Sequence, residues 1–156
     1  LTNPKPQHGV LMIEIGSLLR DFIRPRKLGR VFGGDAGVFI ERGPDTVRGP
    51  DVGYISQERL ARQAGLQKYF QVAPELCVEI VSPTDRWTEI TEKVDMFLSI
   101  GTALVWVIDP KLRNAHVYRK GRETLVVDNS GALDGEDVLP GFRLPLNELF
   151  SVLDED

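Results

Sequence analysis

Two short apolar runs constrain the fold of this chain more than any other feature. Residues 76–81 read LCVEIV and residues 104–109 read LVWVID, and proline or glycine lies close to each run. Runs of this length that are rich in β-branched residues are typical of strands buried on both faces of a sheet. Such strands need helices on both sides, and amphipathic segments lie before and between them. The sequence therefore predicts an α/β fold in which helices flank a mixed β-sheet.

Two segments have the periodicity of amphipathic helices. The first covers residues 8–23, and its apolar face consists of Leu11, Ile15, Leu18 and Phe22. The second lies within residues 82–101, where Thr84 or Asp85 is expected to cap the start and Gly101 to close the end. Its predicted buried stripe consists of Ile90, Val94, Phe97 and Leu98.

Shorter elements are predicted around these segments. Residues 57–70 indicate a short helix or a loop, and the tail LPGFRLPLNELF indicates a loop followed by a short helix. A chain of 156 residues is long enough to bury one core, so we expect a single domain over residues 1–156. The remaining strands, separated by Gly, Pro and Asp turn signals, are predicted at residues 30–33, 37–41, 52–56, 115–119 and 124–128.

Composition argues against several classes of protein. No apolar stretch approaches the roughly 20 residues that span a bilayer, so no membrane association is expected. The single cysteine, Cys77, rules out an internal disulfide and favours the reducing cytoplasm. A net charge of −4 argues against a protein that coats nucleic acid non-specifically. It does not exclude an enzyme that meets phosphates through a bound cation.

One of the apolar runs contains a carboxylate, Glu79, which is costly to bury without a partner. A second carboxylate, Asp51, follows Pro50 directly before a predicted strand, although aspartate at such a position is also a common turn residue. If the two strands pair, both carboxylates can point into one cleft, where Mg²⁺ would relieve their repulsion. The two acids therefore predict a divalent-metal site suited to phosphodiester hydrolysis.

A phosphoryl-transfer site also needs a positive side chain near the reacting groups. Lys93 lies about 60° from Ile90 around the second predicted helix, at the edge of its buried stripe. Its long side chain could reach the cleft, or it could pair with Glu89 on the helix surface, and the spacing favours neither arrangement. A separate basic cluster is a candidate DNA contact, although such clusters are more often solvated loops. It consists of Arg24, Arg26, Lys27 and Arg30.

These residues are also where the chain resembles known proteins. Pro50-Asp51 followed by a strand glutamate resembles the PD-(D/E)XK nuclease superfamily. Five segments resemble, in order, the Uma-two family of restriction endonucleases, and the similarity extends from about His8 to Phe150. The resemblance implies a restriction-endonuclease-like fold, hydrolysis of DNA with Mg²⁺ or Mn²⁺, and a homodimer, because double-strand cutters commonly pair two sites. The segments are GPDVGYIS, PELCVEIVSPTD, EKVDMFLSIG, LVWVIDP and LPGFRLPLNELF.

Carried over residue by residue, the resemblance makes Asp51 and Glu79 metal ligands, with the backbone carbonyl of Ile80 as a third. The superfamily lysine that lies two residues after the glutamate falls on Val81, so Lys93 is expected to take its role. Relatives begin with a further hairpin of YELIDGE-like sequence, which we expect to be absent here.

Two functional hypotheses follow. The first is a Mg²⁺-dependent endonuclease in which Asp51 and Glu79 hold the ion and Lys93 positions water or stabilises charge. The second is a catalytically weak or inactive binding or assembly module with the same fold, which the missing lysine and the acidic balance favour. A sugar hydrolase is supported only by the presence of two acids.

The histidines and tryptophans are predicted to have no catalytic or binding role. His8 and His116 have no partner that the sequence makes visible. Trp87 and Trp106 lie among apolar positions, which predicts core packing rather than base stacking.

Overall fold

The structure is a computed structural model that describes residues 6–34, 36–41, 46–63 and 69–154. The helices within these residues are α1 (Pro6–Ile23), α2 (Gln57–Arg62), α3 (Trp87–Ser99) and α4 (Leu146–Ser151). None of these helices is long and apolar enough to cross a membrane. The strands are β1 (Gly29–Gly33), β2 (Val38–Glu41), β3 (Thr46–Arg48), β4 (Val52–Ser56), β5 (Leu76–Ile80), β6 (Leu104–Asp109), β7 (Asn114–Tyr118), β8 (Leu125–Val127), β9 (Ala132–Asp134) and β10 (Arg143–Pro145).

A central sheet contains six of these strands in the order β1-β4-β5-β6-β7-β8. β5 and β6 run parallel, and the other neighbouring pairs of this sheet run antiparallel. Parallel neighbours need a long crossover connection, which α3 provides between β5 and β6. The predicted α/β fold with a mixed sheet flanked by helices is therefore confirmed, and most of the pairing is antiparallel.

The alternation of side chains along β5 divides the core between the two faces of the sheet. Leu76, Val78 and Ile80 are buried on the face that α1 and α4 cover. Cys77 points to the opposite face, where it is buried with residues of α3. Glu79 lies two residues after Cys77 in the same strand, so its side chain points to the same face of the sheet, the one that α3 covers.

The row of α1 side chains that is buried against the sheet differs in part from the predicted row. Leu18 and Phe22, expected in the buried stripe, are only partly buried beside the core. Because a helix repeats every 3.6 residues, residues 18 and 19 both border the apolar face, and the crossing angle with the sheet decides which is covered. The fully buried row consists of Leu11, Ile15, Leu19 and Ile23.

The predicted N-terminal cap of α3 is wrong. The cap position is Arg86, and no side chain there bonds to the helix. Asp85 instead accepts a hydrogen bond from the backbone N–H of Ser82, at 2.8 Å, so its carboxylate holds the preceding turn. The expectation for the other end is correct, because Gly101 follows the helix with a φ of 109°, a conformation that favours glycine.

The two tryptophans have different environments. Trp106 in β6 is fully buried, as predicted. Trp87 is 42 % exposed, so its assignment to the core is wrong. Its ring lies beside that of His116 in β7, with the centroids 4.8 Å apart, because the first turn of α3 lies over the outer part of the sheet.

Two small hairpins lie outside the central sheet. β2 pairs with β3, and β9 pairs with β10. β3, β9 and β10 were not predicted, because strands of three residues are too short to show a period of two.

Candidate functional site at the end of the parallel strand pair

Asp51 and Glu79 lie opposite each other on neighbouring strands. β4 and β5 are antiparallel, and Val52 pairs with Val78 in their ladder. Continuing this register by one residue places Asp51 across from Glu79, and residues directly opposite in an antiparallel pair are close neighbours. The register therefore brings the two acidic residues together at one end of the sheet.

Backbone contacts on two sides set the position of Asp51. Its Oδ2 accepts a hydrogen bond from the backbone N–H of Ile80, at 2.8 Å. On the other side, Gly33 of β1 lies so close that a Cβ atom there would be 2.7 Å from the carbonyl oxygen of Asp51. Pro50, which is buried, restricts the backbone immediately before it. The backbone directly before β4 is therefore held in place, and this limits movement of the Asp51 carboxylate.

Glu79 forms an ion pair with Lys93, whose Nζ lies 2.9 Å from Oε1. The two side chains are 12 % and 28 % exposed, so the pair lies at the edge of the core. Helix α3 brings Lys93 over β5 because Ile90 and Val94 are buried on the same face of the sheet. Of the two arrangements that helix spacing left open, the lysine reaches the strand glutamate rather than Glu89.

The first turn of α1 brings His8 to the same end of the sheet. Its Nε2 lies 3.1 Å from Asp51 Oδ2, and the two side chains are 14 % and 13 % exposed. The carboxylate accepts, so the imidazole nitrogen donates. This hydrogen bond raises the pKa of His8 above its usual value, burial opposes the rise, and the charges of Asp51, Asp85 and Glu79 add to it. His8 therefore interacts electrostatically with both acids of the candidate site.

His8 was missed by sequence reasoning because its partner is 43 residues away. No local spacing connects the two residues, and only the packing of α1 against the sheet brings them together. The second histidine, His116, lies on β7 beside Trp87. Burial lowers the pKa of His116, and the charge of Asp109 opposes this shift.

A cavity of about 190 Å³ lies where β5 and β6 end. His8 borders it together with residues 81–83 and 109–111, which leave the two parallel strands. Crevices at the carboxyl ends of parallel strands are where open α/β sheets usually bind ligands. Asp51 borders a second cavity of about 310 Å³, between α1 and β1. A ligand thus has access to each member of the His8–Asp51 pair.

The chemistry of the donor atoms fits a hard divalent cation. Asp51, Glu79 and the Ile80 carbonyl offer only oxygen ligands, which Mg²⁺ and Mn²⁺ prefer. The Ile80 N–H bonds to Asp51, and in an antiparallel ladder the carbonyl of a residue faces the same neighbouring strand as its N–H. Within the described residues, no three His, Cys, Asp or Glu side chains are grouped to hold a metal. A site here would consist of two carboxylates, a carbonyl and water, as Mg²⁺ commonly has.

The basic cluster named from the sequence lies at the other end of α1. Arg24 follows the last residue of the helix, so it is roughly 24 Å from His8 at 1.5 Å per residue. The guanidinium of Arg26 lies over the ring of Phe22, 3.9 Å from its centroid, and donates to the Phe22 carbonyl. Any DNA contact through this cluster would be distant from the acidic residues.

Known proteins share this architecture. Among solved structures, the chain is similar to a "putative nuclease belonging to DUF820" from Anabaena variabilis, with a TM-score of 0.85 and 25 % sequence identity. The similarity covers 97 % of this chain and 84 % of the other. The fold is therefore that of the restriction-endonuclease-like α/β proteins.

A family model refines this class. The model of the Uma2 family, described as "Putative restriction endonuclease", matches residues 1–147. The chain belongs to this family. A search of curated proteins found no match.

Proposed function

We propose that the chain is an endonuclease that hydrolyses phosphodiester bonds in DNA with Mg²⁺ or Mn²⁺. The observation that carries the proposal is the placement of Asp51 opposite Glu79, with Lys93 paired to Glu79, at the carboxyl end of the parallel strands. Membership in the Uma2 family supports nuclease chemistry. DNA is the substrate that fits a family of restriction endonucleases.

The side chains have distinct roles in this proposal. Asp51, Glu79 and the Ile80 carbonyl hold the metal ion. When bound, the ion supplies a more acidic water and neutralises negative charge on the phosphodiester. Lys93 holds a positive charge beside Glu79, from where its ammonium could donate to the attacking water or to a phosphate oxygen. In the superfamily, a lysine two residues after the glutamate provides the positive charge. This chain has Val81 at that position, so Lys93 provides the charge from α3 instead.

One observation favours the second hypothesis, a binding module without efficient catalysis. The ion pair with Lys93 already compensates the charge of Glu79, so the fold does not require a metal to accommodate this carboxylate. In that case, the protein would bind a partner, and adding metal would have little effect on the protein.

Plasmid nicking separates the two hypotheses. We expect the wild type to nick supercoiled plasmid when Mg²⁺ or Mn²⁺ is added, and Glu79→Gln and Asp51→Asn to be about 10- to 100-fold slower or more, since each loses the charge of a metal ligand and the loss of even an outer-shell partner costs that much. Glu89→Gln is the matched control, because it removes the same charge from an exposed position on α3. Equal nicking by Glu79→Gln and the wild type would eliminate the proposed site.

Thermal unfolding tests the metal site without any substrate. A cation that binds only the folded protein stabilises it by RT ln(1 + [L]/Kd), about 2.7 kcal/mol at a hundredfold excess over Kd. We expect Mn²⁺ to raise the melting temperature of the wild type by several degrees and to leave Asp51→Asn unchanged. A wild-type melt that Mn²⁺ and Mg²⁺ do not move, together with absent nicking, would support the binding module.

Assembly and location belong to the same proposal. Cleavage of both DNA strands commonly uses two active sites, so we propose a homodimer, which sedimentation of the DNA-bound protein tests. DNA as substrate and a single buried thiol, Cys77, both suit the cytoplasm.

A further inference from the structure

We propose that His8 is a positioning residue, which orients the Asp51 carboxylate toward the metal ion. This role rests on the proposed metal-dependent function and extends it to α1, which otherwise contributes only core packing. The acids and the lysine come from the sheet and α3, whereas His8 comes from the opposite layer of the fold.

Two donors converge on a single oxygen of Asp51. Oδ2 accepts from the Ile80 N–H at 2.8 Å and from His8 Nε2 at 3.1 Å. Two hydrogen bonds from different directions restrict the rotation of a carboxylate, and because both end on Oδ2, Oδ1 is the oxygen with which Asp51 would bind a cation. Carboxylates that bind metals are typically held in this way by hydrogen bonds to neighbouring groups, and losing such a bond typically weakens metal binding 10- to 100-fold.

Core packing determines where His8 lies. Leu11 and Ile15, the next residues on the same side of α1, are fully buried against the sheet. Since the helix is anchored there, the imidazole one turn earlier is held against Asp51 rather than free to rotate away. Both the neutral Nε2–H tautomer and the imidazolium donate from Nε2, so this orienting contact is the same in either state.

Substitutions that keep or remove the donor test the role. His8→Gln retains an N–H donor at a similar reach, whereas His8→Leu fills similar space with none, and His8→Ala is a second donor-free variant in case the leucine does not fold. We expect Mn²⁺ titration by calorimetry to show affinity reduced about 10- to 100-fold in His8→Leu and His8→Ala, and nearly restored in His8→Gln. Val10→Ala, at an exposed position nearby on α1, should bind Mn²⁺ like the wild type.

The outcomes distinguish this inference from the function on which it rests. If the wild type binds Mn²⁺ and His8→Leu binds it equally well, His8 has no positioning role and the metal site stands. If His8→Gln and His8→Leu lose affinity equally and both melt lower without metal, His8 is only structural. If the wild type itself does not bind Mn²⁺, the proposed function fails, and the role of His8 fails with it.

Discussion

Glu75, directly before β5, and Glu79, near the end of β5, show how differently two nearby carboxylates are used. Oε1 of Glu75 accepts from the backbone N–H of Ser56 at 2.9 Å, and Nε of Arg59 lies 3.7 Å from it. Arg59 in turn donates to two backbone carbonyls of neighbouring turns. Glu75 is thus part of a network that connects β4, α2 and the loop before β5. Glu79 instead pairs with Lys93, whose side chain is flexible and partly exposed, and this setting suits a chemical role.

Alanine substitutions should reveal this difference in stability. Glu75→Ala leaves the Ser56 N–H without its acceptor, and we expect it to lower the free energy of unfolding by about 1–3 kcal/mol. Glu79→Ala should cost less than about 1 kcal/mol, because Lys93 is partly exposed and can be solvated. Urea unfolding without metal measures both values. A Glu79→Ala variant as unstable as Glu75→Ala would identify Glu79 as a structural residue.

At the scale of secondary-structure elements, β1 helps to position Asp51 in the acidic site. β1 is one of the two edge strands of the central sheet, and Gly33 at its end pairs with Val52. The close approach of Gly33 to the Asp51 carbonyl leaves no space for a side chain at this position. The backbone of β1 therefore limits where Asp51, the residue directly before β4, can lie.

Adding a methyl group at Gly33 should disturb the site more than the fold. In Gly33→Ala the new Cβ would lie 2.7 Å from backbone, so either β1 or Asp51 must shift. We expect a loss of stability of about 1–3 kcal/mol and a weaker response of the melting temperature to Mn²⁺.

Gly16→Ala is the control for this substitution. Gly16 lies in α1, where an added Cβ would meet nothing within 4 Å. Alanine should therefore stabilise the helix by about 0.5–1 kcal/mol and leave the Mn²⁺ response unchanged. If Gly33→Ala keeps a full metal response, the packing of β1 does not position Asp51.

Across the whole molecule, helix α1 runs from an acidic region at its N-terminal end to a basic region at its C-terminal end. Its start lies beside the acidic residues, and its end leads into the basic cluster around Arg24. Between these ends, α1 covers one face of the central sheet and α3 covers part of the other. Cys77, near the middle of β5, is completely buried beneath α3.

The Cys77 thiol should report global unfolding. Burial raises its pKa, a hydrogen bond with Thr102 opposes this effect, and the thiolate is the reactive form. We expect a thiol reagent to modify the native protein only as fast as the protein unfolds, with a rate that rises with urea. Cys77→Ala supplies the background rate. Rapid modification without urea would show that the α3 layer opens locally.

Much of the fold was predictable because the periodicity of apolar residues is a local property. Residues 76–81 and 104–109 predicted β5 and β6 within one residue at each end, and the stripe of Ile90, Val94 and Phe97 predicted α3. Asp51 and Glu79 were identifiable as candidates because a carboxylate inside or beside an apolar strand is unusual wherever the strand lies.

Contacts between distant residues depended on the tertiary structure. The sequence alone could not place His8 on Asp51, choose Glu79 rather than Glu89 as the partner of Lys93, or expose Trp87. Each of these results depends on strand order, on the register of β4 and β5, and on the angles at which α1 and α3 cross the sheet. Periodicity in the sequence determines which face of an element is buried, but the packing of whole elements determines which residues meet there.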